Sequence, residues 1–299
     1  VPNDTTPICP RCGYDQSGFA AGWRDACPLE GTCSECGHAF AWADVFDPCR
    51  RDLPWLVEHA PGVRGLLRRI LPTLARVLAA RSYWKSVGVE VRVRLLPVVV
   101  MLAVVFAAVY LAGGVWFAAS RYRQWTAPGP ITALAYGTPT RADMLAAAAV
   151  NVLTYGVGEY WGPSPSGWVF EWSMVRYPWC LFVAGFHSGW AIMLVALPDT
   201  RRRARLRLAH VGRAWVTGLV CLAPVLVSAI GERVRADGGV VSEWVLDWSF
   251  LASLVWVPWW WWCALRVGWR VEGSILVWFL LLIVSVMVAM VSMAPLLVI

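Results

Sequence analysis

Cys9-Pro10-Arg11-Cys12-Gly13 and Cys33-Ser34-Glu35-Cys36-Gly37 repeat one short phrase, C-x2-C-G, with 20 residues between the pairs. Two residues between cysteines let one tight turn aim both sulfurs at a single ion. The glycines that follow, Gly13 and Gly37, tolerate the positive φ that closes such a turn. The spacing predicts a small zinc ribbon, short in β-structure and stapled by metal, with Cys9, Cys12, Cys33 and Cys36 as ligands. Four thiolates make a closed tetrahedral site with no position left for water, so the metal is expected to be structural rather than hydrolytic. A module this small cannot bury a core of its own. Metal binding, typically about 10–16 kcal/mol, is expected to supply the fold.

Zinc is the expected ion. Tetrahedral S4 also suits iron, and Cys12-Gly13-Tyr14-Asp15 has a rubredoxin look. Against iron, the linker between the pairs is short and poor in the aromatics that would shield a redox centre. Cys27 and Cys49 are expected to be bystanders, and His38 to be exposed rather than ligating. Residues 1–40 lack the basic start and apolar core of a secretory signal. With no processed leader expected, and Val1 read as a non-Met start, the module should face the cytosol. Reduced thiols there favour metal over disulfides.

The rest of the chain obeys different physics. Of 299 residues, 59% are hydrophobic and only 15% charged, against roughly 25% charged in soluble proteins. The deficit falls almost entirely after residue 95. Tryptophan is over-represented at 21, and such side chains collect at the water–lipid boundaries. The composition describes an integral membrane protein. The formal charge of +7 is carried almost wholly by Arg, with Lys85 the single lysine. Those arginines are read as cytoplasmic flanks of membrane spans, and nucleic acid is not expected as a partner.

Three regions follow: a cytosolic ribbon over 1–49, a basic amphipathic collar over 50–95 and a transmembrane domain over 96–299. In the collar, Val63, Leu66, Leu67, Ile70, Leu71, Leu74, Val77 and Leu78 recur at helical spacing. Arg64, Arg68 and Arg76 fall on the other side, and Pro72 interrupts the run. Such a helix can lie at the headgroups of an anionic membrane or pack on its own protein. Val87, Val89, Val91, Val93 and Leu95 alternate with Gly88, Glu90, Arg92 and Arg94, which hints at a strand or a short lead-in.

Five stretches reach the roughly 20 apolar residues that cross a bilayer: 96–119, 177–197, 211–230, 244–265 and 274–297. Together they predict an all-α transmembrane bundle. A sixth candidate, 142–158, is short and carries Asn151 and Thr154. Residues 50–95 hold ten basic residues, and Arg201, Arg202, Arg203, Arg205, Arg207 and Arg213 form a second basic group. Both groups belong on the cytoplasmic side, so an even number of crossings separates them. The expected topology is five spans in a cell (inner) membrane, N-terminus inside and C-terminus outside, with 142–158 re-entrant or interfacial.

Little chemistry is written into the spans. His187 lies near mid-span in Gly185-Phe186-His187-Ser188-Gly189, which superficially evokes an intramembrane serine protease. Adjacent helix residues point about 100° apart, so His187 cannot serve Ser188 as a base. A neutral His187 bonded to a neighbouring helix is expected instead. Asp247 is placed near the outer end of its span. Trp259, Trp260, Trp261 and Trp262 are read as an aromatic belt at the cytoplasmic interface. Nucleotide, zinc-protease and serine-hydrolase motifs are absent from the sequence.

The two knuckles, with Tyr83-Trp84-Lys85-Ser86-Val87 and Leu197-Pro198-Asp199-Thr200-Arg201-Arg202-Arg203-Ala204-Arg205, resemble a group of uncharacterised bacterial membrane proteins. These carry a zinc ribbon ahead of several spans, and the resemblance implies that layout over most of the chain without implying an activity. In layout alone the chain is also similar to the Yip family of five-span proteins, linked to membrane organisation and protein partners. The expected function is a non-enzymatic scaffold or adaptor whose ribbon recruits a cytosolic partner, with the bilayer and its anionic headgroups as further partners. Two alternatives stand beside it. One is a small-solute or lipid transporter or subunit, drawing on His187, Asn151 and Asp247. The other is a lipid-directed membrane enzyme using Asp143, Glu159 and Glu171.

Overall fold

A computed structural model describes residues 6–24, 26–126, 142, 146, 159–164, 167–171, 178–196, 206–227, 243–271 and 273–293. They divide into two compact units. The first takes Val1–Leu102, Gly185–Val220 and Trp256–Ser292, and the second takes Ala103–Ala184, Cys221–Val255 and Met293–Ile299.

The first unit opens with the cysteine module. Strands β1 (Glu30–Thr32) and β2 (Ala39–Ala41) pair antiparallel with Gly31 opposite Phe40. Helices α1 (Ser17–Ala21) and α2 (Trp42–Phe46) flank them. Cys9, Cys33, Phe40 and Trp42 form a small buried core, with Trp23 and Val45 packed against it. Gly31 lets Trp42 lie on the sheet: a Cβ there would sit 2.6 Å from the indole nitrogen.

The collar is helical where its periodicity predicts. Helix α3 (Gly62–Leu78) runs through Pro72 and is followed by α4 (Ala80–Ser86). Ile70, Thr73 and Val77 form the buried face of α3. Thr73 is satisfied there, donating to the Trp55 carbonyl at 2.8 Å and accepting from Val57 N at 3.1 Å. Beside that face, Val63, Leu67, Leu71 and Leu78 are each more than half exposed. The helix therefore packs on its own protein through one stripe and leaves a second apolar stripe open. Arg69 donates to the Leu56 carbonyl at 3.3 Å, and the Arg76 guanidinium lies 4.3 Å from the Trp55 ring centre.

Residues 87–94 form no strand. Val87, Val89 and Val91 are nonetheless buried in alternation, so the period of two records a lead-in with one covered side, turned at Gly88–Val91 where Val91 N donates to the Gly88 carbonyl at 3.3 Å. The Arg213 guanidinium takes the place of a partner strand, donating to the carbonyls of Val91, at 3.0 Å, and Arg92.

Beyond the collar the described chain is mostly helical. Helices α5 (Leu95–Thr126), α6 (Pro178–Ala196), α7 (Leu208–Gly218), α8 (Glu243–Cys263) and α9 (Ser274–Met293) overlie the five predicted apolar stretches. Among the described residues, three segments are long and apolar enough to cross a membrane: Leu95–Trp116, Leu208–Val227 and Ser274–Ser292. At 1.5 Å per residue each approaches the 30 Å hydrocarbon thickness. The first and third have 17% and 22% of an 18-residue window buried inside the protein. So much outward-facing apolar surface suits lipid rather than water. The shorter apolar segment is Cys180–Ala196. The stretch 142–158 falls, but for residues 142 and 146, outside the described residues, as do the side chains of Asp247 and of Arg201, Arg202, Arg203 and Arg205.

The Gly185-to-Gly189 phrase is explained by packing in the first unit. A Cβ at Gly185 would lie 2.6 Å from Ser292 Oγ, and one at Gly189 would lie 2.7 Å from Ser285 Cα. Two glycines four apart on α6 thus admit the small face of α9, the small-residue contact by which apolar helices approach closely. In the second unit, β3 (Glu159–Ser164) and β4 (Gly167–Glu171) form a hairpin that sets Glu159 and Glu171 opposite each other in register. Ser253 donates to the Cys221 carbonyl at 3.1 Å in the same unit.

Candidate metal centre

The two knuckles are built alike. Cys9 N donates to the Tyr14 carbonyl at 2.8 Å, and Gly13 N to the Cys9 carbonyl at 2.9 Å. In the second, Cys33 N donates to the His38 carbonyl at 3.0 Å, and Gly37 N to the Cys33 carbonyl at 2.8 Å. Gly13 and Gly37 sit at φ 80° and 65°, the left-handed region that side-chain-bearing residues avoid. Both turns deliver their sulfurs to one point. The four Sγ atoms lie within 4.8 Å of one another, with Cys9 and Cys36 at 3.6 Å and Cys12 and Cys33 at 3.7 Å. A tetrahedral ion with metal–sulfur bonds of about 2.3 Å needs sulfurs about 3.8 Å apart. The cluster could therefore hold a metal ion with little rearrangement.

Its surroundings favour thiolate at one corner. Gln16 is buried and donates from Nε2 to Cys33 Sγ at 3.3 Å. Burial pushes the Cys9, Cys12 and Cys36 thiols up to about 11, their backbone hydrogen bonds only partly opposing it. At Cys33 burial also raises the pKa. The backbone donors of Cys36 and Glu35 and the neighbouring thiols outweigh it, and the group ends below its ordinary value. A cation loading this cluster must displace protons. Gln16 carries no motif signal and is invisible to spacing arguments.

Cys27 and Cys49 are exposed and outside the cluster. His38 is not the exposed residue expected: its side chain is 15% accessible, with Nε2 3.5 Å from Glu90 Oε1. Burial lowers its pKa, Glu90 opposes that, and Arg11, Arg270 and Arg51 add to it. The module is also richer in aromatics than its linker implies. Trp23 packs edge-on to Trp42 at 4.6 Å between ring centres, and Phe40 and Phe46 complete the group. Three of these four rings follow the second knuckle.

The first knuckle is bolted to the helical part of its unit. Arg207 N donates to the Arg11 carbonyl at 3.2 Å, and His210 Nε2 meets the Pro10 carbonyl at 3.1 Å. Arg11 donates to the Trp269 carbonyl at 3.4 Å. The mount continues in a fully buried ion pair. Arg213 Nε lies 2.8 Å from Glu58 Oε1, and its terminal nitrogen donates to Oε2 at 2.9 Å. Arg94 N supplies a further donor to Oε2 at 2.9 Å. Arg213 is thus a core residue and not one of the loop charges among which the sequence reading counted it. The five arginines from Arg201 to Arg207 still make that segment basic.

His187 is buried and fully engaged. Nε2 lies 2.8 Å from the Trp215 carbonyl, and Nδ1 lies 3.2 Å from Trp261 Nε1. A carbonyl can only accept and an indole N–H can only donate, so the proton sits on Nε2 and the ring is neutral. Ser188 accepts from Trp215 Nε1 at 3.1 Å. The two side chains do not form a nucleophile–base pair.

The tryptophan run is not a single belt. Trp260 and Trp261 are wholly buried, Trp260 donating to the Ala214 carbonyl at 3.0 Å. Trp259 is 46% exposed. Consecutive helix residues point about 100° apart, so four in a row must surround the helix. The chain matches no protein-family model, no curated protein and no solved structure.

Proposed function

We propose that this protein is a membrane-anchored scaffold or adaptor whose N-terminal zinc ribbon, held by Cys9, Cys12, Cys33 and Cys36, recruits a protein partner on the cytosolic side. The closed four-sulfur cluster carries the reading. It offers no open coordination position, and its first knuckle is fixed to the helical part of the same unit, as a presenting platform requires. Leu29, at 88% exposure, and the half-exposed Phe19 and Tyr14 give the module apolar surface to present. The engaged state of His187 removes the most promising polar group for transport or hydrolysis at membrane depth.

The reading predicts one zinc per chain and a partner captured by crosslinking from membranes. Leu29→Asp with Phe19→Asp should lose that partner while zinc content stays at one. Loss of zinc together with the partner, or retention of the partner by the double variant, would count against a docking role for this surface.

The membrane arrangement belongs to the same proposal: five spans in an inner membrane, N-terminus inside, C-terminus outside. Single cysteines at Ser166 and Gly238, on a background without other cysteines, should react with an impermeant reagent in intact cells. One at Ala204 should not. A reactive Ala204 site would restore 142–158 as a sixth crossing. Anionic headgroups remain proposed partners of α3. Arg69 and Arg76 are engaged with the protein, so Arg64 and Arg68, beside the open stripe of Val63, Leu67 and Leu71, are the charges to test.

A further inference from the structure

A cleft of about 640 Å³ lies between the second knuckle and the collar, within the first unit. Gly37, His38 and Ala39 form one wall, and Trp84 and Trp269 contribute another. Five cationic residues line it: Arg11, Arg50, Arg51, Lys85 and Arg270. Against them stand two carboxylates, Asp52 and Glu90. Arg51 is already held, 2.6 Å from Asp44 and 3.4 Å from Glu90, and Arg50 lies 3.8 Å from Asp44. Lys85 and Arg270 meet no carboxylate among the described residues.

Arg270 reaches the cleft from just past a helix end. It is the non-glycine residue found at positive φ among those described, at 51°. That conformation closes the preceding helix, Val271 N donating to the Leu265 carbonyl at 2.9 Å, and the Arg270 side chain remains exposed at the cleft. The size of the cleft falls within the range of small-molecule sites, about 300–1,000 Å³. Arginine and lysine together are the donor set that phosphate groups select.

We propose that this cleft binds a phosphate-bearing anion, with Lys85 and Arg270 as its direct charge contacts. The inference goes beyond the adaptor reading and does not depend on it. Two sources share the chemistry: an acidic phospholipid headgroup and a soluble phosphate compound. The full-length chain, purified in detergent, is titrated calorimetrically with inorganic pyrophosphate. In parallel it is placed in nanodiscs of phosphatidylcholine with or without phosphatidylglycerol, and retained lipid is read by native mass spectrometry.

At least one probe should bind, weakening as salt rises. Lys85→Gln and Arg270→Gly should each weaken it by about tenfold, the size of a lost hydrogen bond to a charged group. Arg270→Gly keeps the backbone conformation while removing the charge. Arg266→Gln is the control, since Arg266 lies outside the cleft against the Trp262 ring. Pyrophosphate binding identifies a soluble ligand, and selective phosphatidylglycerol retention identifies a headgroup. If neither binds, or if the cleft variants weaken binding no more than Arg266→Gln, the proposal fails. Should Arg270→Gly misfold, Lys85→Gln decides, because Lys85 is exposed and its loss strands no buried group.

Discussion

Changing any one of Cys9, Cys12, Cys33 or Cys36 to Ser in the full-length chain is expected to abolish metal binding and unfold residues 6–46. Cys27→Ser and Cys49→Ser should leave both metal and fold intact. The contrast follows from geometry. The first four sulfurs share one point, whereas Cys27 is exposed and its thiol donates to the neighbouring Pro28 carbonyl at 3.4 Å. A serine hydroxyl stays protonated at neutral pH and cannot supply the anion that the ion needs. Because about 10–16 kcal/mol of metal binding is the folding energy of such modules, losing one ligand removes far more than their few buried side chains can replace. Gln16→Ala should act in the same direction but less, lowering affinity by about tenfold, as loss of an outer-shell donor does. Metal stoichiometry, cobalt substitution spectra and amide exchange over residues 6–46 measure these effects. Cys27→Ser proving as damaging as Cys33→Ser would overturn the ligand assignment.

What the sequence revealed and what it hid divide by range. The knuckles are local: each needs five residues, and both turns carry the positive-φ glycines that the C-x2-C-G phrase implies. The apolar stretches are local too, and a helix overlies each of the five. The failures are relational. Nothing in the tryptophan run says that Trp260 and Trp261 face the core while Trp259 faces out, because that depends on which neighbours surround the helix. Helix geometry alone excludes a catalytic role for the Gly185-to-Gly189 phrase, but the packing role of its two glycines depends on Ser285 and Ser292 of another helix. The alternating valines before α5 left strand and lead-in open because alternation reports only one covered side, and a guanidinium can satisfy carbonyls as a second strand would. Arg213 misled most. Its neighbours in sequence are the arginines from Arg201 to Arg207, while its partner Glu58 lies 155 residues away.

That pair supports the second large expected effect. Arg213→Met should destabilise the first unit by about 3–5 kcal/mol, because it leaves the Glu58 carboxylate buried without its cation. It also strips the donor from the Val91 carbonyl, whereas the Arg92 carbonyl keeps His59 Nε2 at 3.3 Å. Arg213→Lys should recover only part of the loss, since an ammonium cannot grip both carboxylate oxygens and two carbonyls from one planar fork. Removing the acid as well, in Glu58→Leu with Arg213→Met, cancels the stranded charge. The Val91 carbonyl and Arg94 N remain without partners, a smaller loss than a buried unpaired carboxylate, so the double variant should fall between wild type and Arg213→Met. Thermal unfolding in detergent gives the order, and limited proteolysis at residues 87–94 locates the damage. Because Glu58 and Arg213 are 0% and 1% exposed at their side chains, high salt should not reproduce the effect. An Arg213→Met protein that melts like wild type and resists cleavage at 87–94 would mean that packing of Val87, Val89 and Val91, rather than the guanidinium, holds the lead-in in place.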